Sequence, residues 1–427
     1  MQKSLFGTSG IRGDAQTLFT PQFCFDIGRT FIEFLRRHNL TDSIGVGMDP
    51  RESSPTIKSD LFKGLYVEGV ELFDEGTAPI PAINWLIKNT SVKAGIMITG
   101  SHIAPQLNGV KFYAHDEEIS FEDQTEIEEI YYGLKDRQEP KDSHPEVHIE
   151  SKAVDLYADF LFDLAKLPLE KYKIALDCAN GAQSVVMPLL LERLGQEGLK
   201  FICVRHGGFI ARDTDTDDKA EVDDLKKAVS EEKCDFGIAF DGDGDRCVFI
   251  DEIGNFVQGE YSCSLIAKNM PTDTLVTTVS ASQVVETLGK KVIRTKVGSP
   301  HVIGSMKEEN VKFGFEQNGG AIFANDMYTR DGGHVAIEIL NIFAYFSGSF
   351  SEMVAQLPKF YMFRTKFDYK WELKDKIIEK AKKQFKGIKT EELDGLKIWM
   401  DESTWLLFRS SANAPEFRVF AESKSER

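Results

Sequence analysis

Three aspartates alternate with glycines in FDGDGDR, residues 240–246, called here the metal loop. The glycines let the loop fold tightly, so Asp241, Asp243 and Asp245 can direct their carboxylates at one point. Three hard oxygen ligands suit Mg2+ or Ca2+, and without a cation these carboxylates would repel one another strongly. The loop therefore predicts a divalent metal site, in which Arg246 could hold a phosphate that the metal also contacts.

A calcium-binding loop is the alternative interpretation of this segment. Glu252 falls at the twelfth position counted from Asp241, where calcium loops between two helices carry a bidentate glutamate. Two features count against it: the sixth position is Arg246 instead of glycine, and strand-like runs flank the loop.

A serine and a histidine are adjacent in TGSHIAPQLNGVKF, residues 99–112, called here the serine loop. It follows the strand-like run AGIMI, so Ser101 is predicted on the turn leaving a strand, beside His102 and ten residues before Lys111. A serine hydroxyl is a weak nucleophile unless a base or strong electrostatics assists it. An ordinary turn is the alternative for this segment alone, and the other loops weaken it.

Two further loops carry groups suited to sugars and phosphates. In the sugar loop, GFEQNGGAIF at residues 314–323, Glu316 and Asn318 offer an acceptor and an amide for sugar hydroxyls, although a hairpin turn explains the same sequence. The phosphate loop, FRSSANAPEFR at residues 408–418, is cationic and rich in hydroxyls. Arginine forks and hydroxyl donors are what a phosphate monoester requires, and the candidates are Arg409, Ser410, Ser411, Asn413 and Arg418.

One arrangement of secondary structure recurs three times along the chain. A strand, a turn, a helix and a returning strand are predicted from about residue 44, at residues 173–208 and at residues 274–299. Strand, helix and strand within about 30 residues form the βαβ pattern of a parallel sheet covered by helices. We predict three similar α/β domains with mixed sheets sandwiched by helices. One large doubly wound sheet is the alternative.

The pattern changes past residue 360, where one basic amphipathic helix precedes three strand-like segments. These segments favour a smaller C-terminal α+β domain, and the lysine-rich helix is interpreted as a solvated face. The polar segment 134–150 is interpreted as a linker. The predicted domains are 1–145 with the serine loop, 146–252 with the metal loop, 253–360 with the sugar loop and 361–427 with the phosphate loop.

Composition narrows the class of protein. The 427 residues, 42% of them hydrophobic, suffice for two to four domains that each bury a core. A net charge of -17 opposes binding to nucleic acid or to an anionic membrane. We find no signal-peptide pattern and no run approaching the roughly 20 apolar residues of a membrane helix. The six cysteines lie far apart and lack the paired C-x-x-C spacing of zinc or redox sites. We expect a cytoplasmic protein with reduced thiols, monomeric or homodimeric, that acts on small molecules.

Taken together, FGTSGIRG, TGSHIAPQLNGVK, FDGDGDR, FEQNGG and RSSANAPEFR resemble the motifs of the α-D-phosphohexomutase family in order and spacing, from residue 5 to residue 422. Members of that family have three related α/β domains and a C-terminal domain resembling the TATA-binding-protein fold, with the active site in the cleft between them. The resemblance implies an intramolecular phosphotransferase that interconverts hexose 1-phosphate and hexose 6-phosphate. It also implies a phosphoserine, a hexose 1,6-bisphosphate intermediate or activator, and Mg2+.

The resemblance assigns roles residue by residue. Ser101 matches the phosphoserine, His102 its neighbour and Lys111 the general base, with His102 as the alternative base. The metal ligands it implies are Ser101, Asp241, Asp243 and Asp245. The remaining matches are two catalytic arginines, a sugar-recognition pair and a phosphate clamp: Arg12 and Arg246, Glu316 and Asn318, and Arg409, Ser411, Asn413 and Arg418.

Three loops depart from the commonest family pattern. Ser101 and His102 precede Ile-Ala instead of Asn-Pro, Gly320 stands where a histidine is common, and the phosphate loop has Ser-Ala-Asn-Ala-Pro instead of Ser-Gly-Thr-Glu-Pro. These variants resemble enzymes described as phosphomannomutases, so a mannose phosphate is favoured, with glucose phosphate also considered. A phosphoglucosamine mutase is the alternative. A phosphatase and a catalytically silent sugar-phosphate binder are further hypotheses; intact Ser101, Lys111 and aspartates count against the silent binder.

Overall fold

The computed structural model describes residues 4–7, 10–40, 43–66, 70–135, 146–166, 172–195, 200–202, 208–212, 214, 222–411 and 416–426. Asn413 of the predicted phosphate clamp lies outside these ranges. Within them the strands form four separate sheets. This arrangement confirms three α/β units followed by a smaller unit, and the alternative of one doubly wound sheet is wrong.

The first unit is a seven-stranded mixed sheet, ordered β1-β5-β4-β2-β3-β7 with β6 on β5. Its strands are β1 (Ile11–Asp14), β2 (Ser43–Met48), β3 (Glu71–Thr77), β4 (Ala94–Ile98), β5 (Leu107–Ala114), β6 (Glu117–Glu118) and β7 (His148–Ile149). Its helices are α1 (Pro21–Arg37), α2 (Ser54–Leu65), α3 (Ile80–Asn89) and α4 (Phe121–Leu134). Strand β2 runs parallel to β3 and β4, whereas β4 and β5 form an antiparallel hairpin.

Local sequence explains helix α1 and its packing. The Thr20 hydroxyl accepts a hydrogen bond from the backbone N–H of Phe23, and Pro21 occupies the first turn, where no N–H is needed. Helix α1 lies against α2 at Gly64, where an added Cβ would sit 2.1 Å from the carbonyl oxygen of Phe25. A side chain at Gly64 would therefore separate the two helices.

The second unit is a five-stranded sheet, ordered β12-β11-β10-β8-β9. Its strands are β8 (Ile174–Asp177), β9 (Lys200–Ile202), β10 (Phe236–Phe240), β11 (Cys247–Asp251) and β12 (Phe256–Val257), and its helices are α5 (Lys152–Leu164), α6 (Met187–Arg193) and α7 (Asp223–Glu232). Strand β8 is parallel to β9 and β10, and β10 and β11 form an antiparallel hairpin.

The third unit is a four-stranded sheet, ordered β14-β13-β15-β16. It contains β13 (Thr274–Thr278), β14 (Lys291–Thr295), β15 (Phe313–Phe315) and β16 (Ala321–Phe323), with helices α8 (Gly259–Asn269), α9 (Ser299–Glu308), α10 (Gly332–Tyr345) and α11 (Phe350–Val354). The predicted helix between β13 and β14 is a 3-10 helix, Gln283–Leu288. Neighbouring β-branched Val284 and Val285, and Gly289 with a φ of 69°, keep it short.

The fourth unit is an antiparallel sheet, ordered β17-β21-β20-β19-β18. Its strands are β17 (Tyr361–Asp368), β18 (Lys389–Glu391), β19 (Leu396–Trp399), β20 (Trp405–Ser410) and β21 (Glu416–Ser423), with helix α12 (Lys374–Gln384) and a 3-10 turn at Trp371–Leu373. Of the residues in α12, Ala381 alone is buried. The lysine-rich helix is therefore solvated, as predicted.

One hydrophobic cluster runs through the first three units. Both apolar packing, as between Val279 and Trp405, and polar contacts join the fourth unit to the third. The carboxylate of Glu422 accepts bonds from the backbone and side chain of Gln283, each at 3.0 Å. The Lys397 ammonium donates to the Val279 carbonyl oxygen at 3.0 Å. These contacts hold strands β19 and β21 of the fourth unit against the third unit. None of the described helices is both long and apolar enough to cross a lipid bilayer.

Candidate active site

The three α/β units place three of the sequence loops at equivalent positions. In each unit a parallel strand is followed by an antiparallel partner, in the hairpins β4–β5, β10–β11 and β15–β16. These hairpins carry the serine loop, the metal loop and the sugar loop, respectively. The three loops meet one another: Ser101 Oγ contacts Asp241 of the metal loop, and the backbone N–H of Cys247, which follows the metal loop, donates to the carbonyl oxygen of Gly319 in the sugar loop at 3.2 Å.

Ser101 occupies a strained backbone position at the start of the serine loop. Its φ is 51°, in the left-handed region that residues other than glycine rarely adopt. The backbone N–H of Ser101 donates to Thr99 Oγ1 at 2.7 Å, which holds this conformation. Ser101 Oγ donates to Asp241 Oδ2 at 3.1 Å and lies 3.3 Å from His102 Nδ1. The candidate nucleophile therefore directly contacts the metal loop.

A buried arginine, which the sequence analysis missed, organises the serine loop. Arg51 donates to the carbonyl oxygens of Ser101 at 2.6 Å, Ala104 at 2.9 Å and Leu107 at 2.8 Å. Its Nε donates to Asp49 Oδ2 at 3.0 Å. The sequence did offer one signal for this role: Asp49 and Arg51 follow the buried strand β2 directly. Charged residues in such a position are rarely buried without a partner.

We expect Arg51→Lys to destabilise the protein and to slow its catalysis. An ammonium group cannot replace the planar fork that reaches three carbonyl oxygens and Asp49, so we expect a loss of about 2–4 kcal/mol in unfolding free energy. Denaturant titration would measure this loss. The control is Arg37→Lys, because Arg37 is half exposed and its ion pairs with Glu33 and Glu126 lie at the surface; it should change stability by less than about 0.5 kcal/mol. Equal losses in both variants would contradict this role of Arg51.

The three aspartates of the metal loop converge as predicted. Asp241, Asp243 and Asp245 are buried, and a carboxylate oxygen from each lies within 4.8 Å of the others. Asp243 Oδ1 and Asp245 Oδ1 are buried and have no hydrogen-bond partner among the described residues. Buried acceptors without donors are costly. Their presence indicates that this cluster can hold a metal ion.

Cations surround the aspartates. Lys111 Nζ lies 3.2 Å from Asp243 Oδ2 and 3.7 Å from Asp245 Oδ2, and Arg246 Nε lies 3.5 Å from Asp241 Oδ2. Burial and the two neighbouring carboxylates raise the pKa of Asp241 well above its usual value. Burial also opposes ionisation of Asp243, but Lys111, Arg246 and Arg330 outweigh it and lower the Asp243 pKa. These surroundings therefore favour ionisation of Asp243 over that of Asp241.

His102 and Arg12 complete the predicted catalytic group. Burial, together with Arg246 and Arg12, holds the pKa of His102 well below its usual value. A neutral imidazole beside Ser101 can accept a proton. Arg12 lies on β1, paired with Gly109 of β5, and burial chiefly lowers its pKa. Both side chains interact electrostatically with Asp243.

The calcium-loop alternative is wrong. Glu252, the proposed twelfth-position ligand, accepts bonds from the backbone N–H of Ser351 at 2.9 Å and from its hydroxyl at 2.5 Å. It thus caps α11 instead of joining the aspartates, which lie between two strands. The spacing between Asp241 and Glu252 matches that of a calcium loop, but strand β11 extends away from the aspartates and places Glu252 at a distance from them.

Glu316 and Asn318 are both buried on the sugar loop. Glu316 Oε1 accepts from the backbone N–H of Gly298 at 3.0 Å, and Asn318 Oδ1 accepts from that of Gly320 at 3.1 Å. The hairpin interpretation and the binding interpretation are therefore compatible, because the turn orients both side chains.

A second residue missed from the sequence is Arg330, which links the sugar loop to the metal loop. It donates to Glu316 Oε2 at 2.7 Å and to Asp245 Oδ2 at 2.6 Å. Its side chain covers Gly320, the position where the family pattern commonly has histidine: a Cβ at Gly320 would lie 2.6 Å from Arg330 Cδ. No local pattern around Arg330 indicates this contact.

The described ends of the phosphate loop lie on two adjacent strands of the fourth unit. Arg409 on β20 and Arg418 on β21 are paired across the sheet. Arg409 Nε donates to Asp394 Oδ2 at 3.0 Å, and the backbone N–H of Ser411 donates to the Glu416 carbonyl oxygen at 2.8 Å. Arg418 also contributes to the lowered pKa of His102. Burial lowers the pKa of Arg409, and the nearby carboxylate of Glu316 acts in the opposite direction. These interactions place Arg409 and Arg418 near both loops.

Comparison with known proteins agrees with this architecture. The phosphoglucomutase/phosphomannomutase models for alpha/beta/alpha domains I, II and III match residues 3–138, 154–254 and 258–361. A phosphoglucomutase/phosphomannomutase of Thermococcus kodakarensis is 34% identical, over 99% of this chain and 95% of the relative. A phosphoglucosamine/phosphogalactosamine mutase of Sulfurisphaera tokodaii is 32% identical, over 99% and 96%. The chain therefore belongs to the phosphoglucomutase/phosphomannomutase family, and the resemblance to α-D-phosphohexomutases is confirmed.

A solved structure shows the same fold. A phosphoglucomutase/phosphomannomutase family protein of Burkholderia thailandensis superposes with a TM-score of 0.85 at 23% identity, over 99% of this chain and 94% of the other.

Proposed function

We propose that this protein is a phosphohexomutase that interconverts hexose 1-phosphate and hexose 6-phosphate through a phosphorylated Ser101. The observation that carries the proposal is the contact between Ser101 Oγ and Asp241 at 3.1 Å, within a strained loop beside a cluster able to hold a metal. Family membership supports the same chemistry. The enzyme is thus an intramolecular phosphotransferase.

The reaction exchanges one oxygen–phosphorus bond for another. A substrate hydroxyl attacks the phosphorus on Ser101; the bond from phosphorus to Oγ breaks while a bond to the sugar oxygen forms. Mg2+ held by the three aspartates would supply positive charge to the phosphoryl oxygens and to the departing Oγ. The proton of the attacking hydroxyl passes to His102 or to Lys111, the two candidate general bases.

Other residues hold the rest of the substrate. Arg409, Ser411 and Arg418 would bind the distal phosphate, and Glu316 and Asn318 the sugar hydroxyls. A hexose 1,6-bisphosphate forms after the first transfer and must turn around so that its other phosphate faces Ser101. The polar contacts between the third and fourth units would have to loosen during this turn, which is a conformational step of the kind that limits many enzymes.

For the sugar, we propose mannose phosphate, with glucose phosphate also accepted. The departures in the serine, sugar and phosphate loops support this choice. Glucosamine phosphate is comparably supported, because relatives of similar identity are named phosphoglucosamine mutases. We further propose a monomeric or homodimeric protein.

Phosphorus NMR of each hexose 1-phosphate, with Mg2+ and a trace of the matching 1,6-bisphosphate, tests the proposal. We expect 6-phosphate to accumulate to equilibrium for at least one of mannose, glucose and glucosamine, and the relative rates identify the preferred sugar. Stoichiometric release of free phosphate would favour a phosphatase. No reaction of any of the three sugars would overturn the mutase proposal and leave the binding-only hypothesis.

A further inference from the structure

Arg330 connects two parts of the site that perform different tasks. One guanidinium nitrogen donates to Glu316, the candidate sugar ligand, and another to Asp245, a candidate metal ligand. All three side chains are buried, with at most 6% of Arg330 exposed. A planar guanidinium that bridges two carboxylates through different nitrogens restrains the distance between them.

Contacts of its backbone, its neighbour and its side-chain stem fix the position of Arg330. The backbone of Arg330 pairs with Ile322 of β16. The next residue, Asp331, caps α10 by accepting from the backbone N–H of His334 at 2.9 Å, and it also accepts from the Tyr157 hydroxyl at 2.5 Å. The stem of Arg330 fills the space over Gly320. Contacts from the second and third units therefore fix the position of Arg330.

We infer that Arg330 is a positioning residue that couples sugar recognition to metal binding. It holds Glu316 in place for the sugar hydroxyls, and by occupying Asp245 Oδ2 it weakens the attraction of the aspartates for a divalent ion. This inference rests on the proposed function for its sugar half only. The metal half depends on the charges alone.

Loss of the guanidinium should have opposite effects on the two ligands. Removing one positive charge beside Asp245 leaves the cluster more negative, so a divalent cation should bind more tightly. Glu316 would at the same time lose the donor to its Oε2 and its fixed orientation, so the sugar phosphate should bind more weakly. A variant that merely disturbed the fold would weaken both.

Arg330→Met and Arg330→Lys separate charge from geometry. For Arg330→Met, we expect Mn2+, measured by the electron paramagnetic resonance signal of the free ion without sugar, to bind about fivefold more tightly or better. The KM for glucose 1-phosphate, or for whichever hexose 1-phosphate the wild type uses best, should rise about tenfold. Arg330→Lys keeps the charge but cannot bridge two carboxylates, so Mn2+ affinity should stay within about twofold while KM still rises.

Two more variants complete the test. Gly320→Ala leaves Arg330 intact but displaces its stem, and it should raise KM. Arg294→Met is the matched control, because Arg294 binds the carbonyl oxygens of Thr278, Ala281 and Ser282 within the same unit; it should lower the melting temperature but leave Mn2+ affinity and KM unchanged.

Unchanged or weaker Mn2+ binding in Arg330→Met would overturn the metal half of the inference, and an unchanged KM in an active Arg330→Met enzyme would overturn the sugar half. A wild type that binds Mn2+ but turns over no hexose phosphate would instead contradict the proposed function, and the Mn2+ comparison would still decide the metal half.

Discussion

Replacing Ser101 by alanine is expected to lower kcat for hexose phosphate interconversion by a factor of about 10,000 or more, because the oxygen that carries the phosphoryl group is removed. The affinities for the metal ion and for the sugar phosphate should fall far less. The aspartates and the phosphate clamp remain, so Mn2+ affinity should fall only by the contribution of one hydroxyl oxygen. Phosphorus NMR with a supplied 1,6-bisphosphate measures the rate, and this supply ensures that lack of activator does not cause the loss.

Ser43→Ala is the matched control. Ser43 is also buried in the first unit, where its hydroxyl donates to the Ser91 carbonyl oxygen at 3.0 Å, but it lies at the opposite end of the parallel strands from Ser101. We expect this variant to keep nearly full activity. If the Ser101→Ala enzyme retained more than about a hundredth of the wild-type kcat, the role of Ser101 as the nucleophile would be contradicted.

Replacing Asp243 by asparagine should nearly abolish metal binding and should also destabilise the metal-free protein. Asp243 lies opposite Lys111 and is buried with it. Its loss leaves the buried Lys111 ammonium with the longer contact to Asp245 at 3.7 Å, and breaking a buried ion pair costs about 3–5 kcal/mol. We expect Mn2+ affinity to fall about 100-fold and kcat about 1,000-fold, since a charged metal ligand is lost.

Asp241→Asn provides the contrast. Burial and the two neighbouring carboxylates raise the pKa of Asp241, whereas the surrounding cations lower that of Asp243, so ionisation of Asp241 is the less favoured of the two. Replacing it by a neutral amide should therefore reduce metal affinity as strongly as Asp243→Asn does, yet change the stability in EDTA by less than about 1 kcal/mol. Denaturant titration in EDTA compares the two. Equal destabilisation by both variants would contradict this division of charge.

Local pattern was enough to predict much of the fold and several site residues. Buried apolar runs, such as those of β10 and β11, bracket a glycine-rich loop, so the strands and the Asp241–Asp245 cluster follow from neighbouring residues. The 3-10 helix at Gln283–Leu288 was predicted as an ordinary helix, because its pattern is helical but its length is set by the Gly289 end.

Long-range contacts could not be predicted in the same way. Arg330 meets Asp245 across 85 positions of sequence, and Arg51 meets Ser101 across 50. Each contact exists only because two separately folded segments pack together. Glu252 shows the converse: its spacing from Asp241 matched a metal motif, but the direction of β11 carries it to Ser351.

The most direct test of the central claim is to find the phosphoryl group itself. The wild-type protein would be incubated with Mg2+ and a hexose 1,6-bisphosphate, denatured, digested and examined by mass spectrometry. We expect one phosphoryl group on Ser101, and its loss when excess hexose 6-phosphate is added before denaturation, because the group then returns to the sugar. Turnover with Ser101 unmodified, or with the phosphoryl group on another residue, would contradict the account.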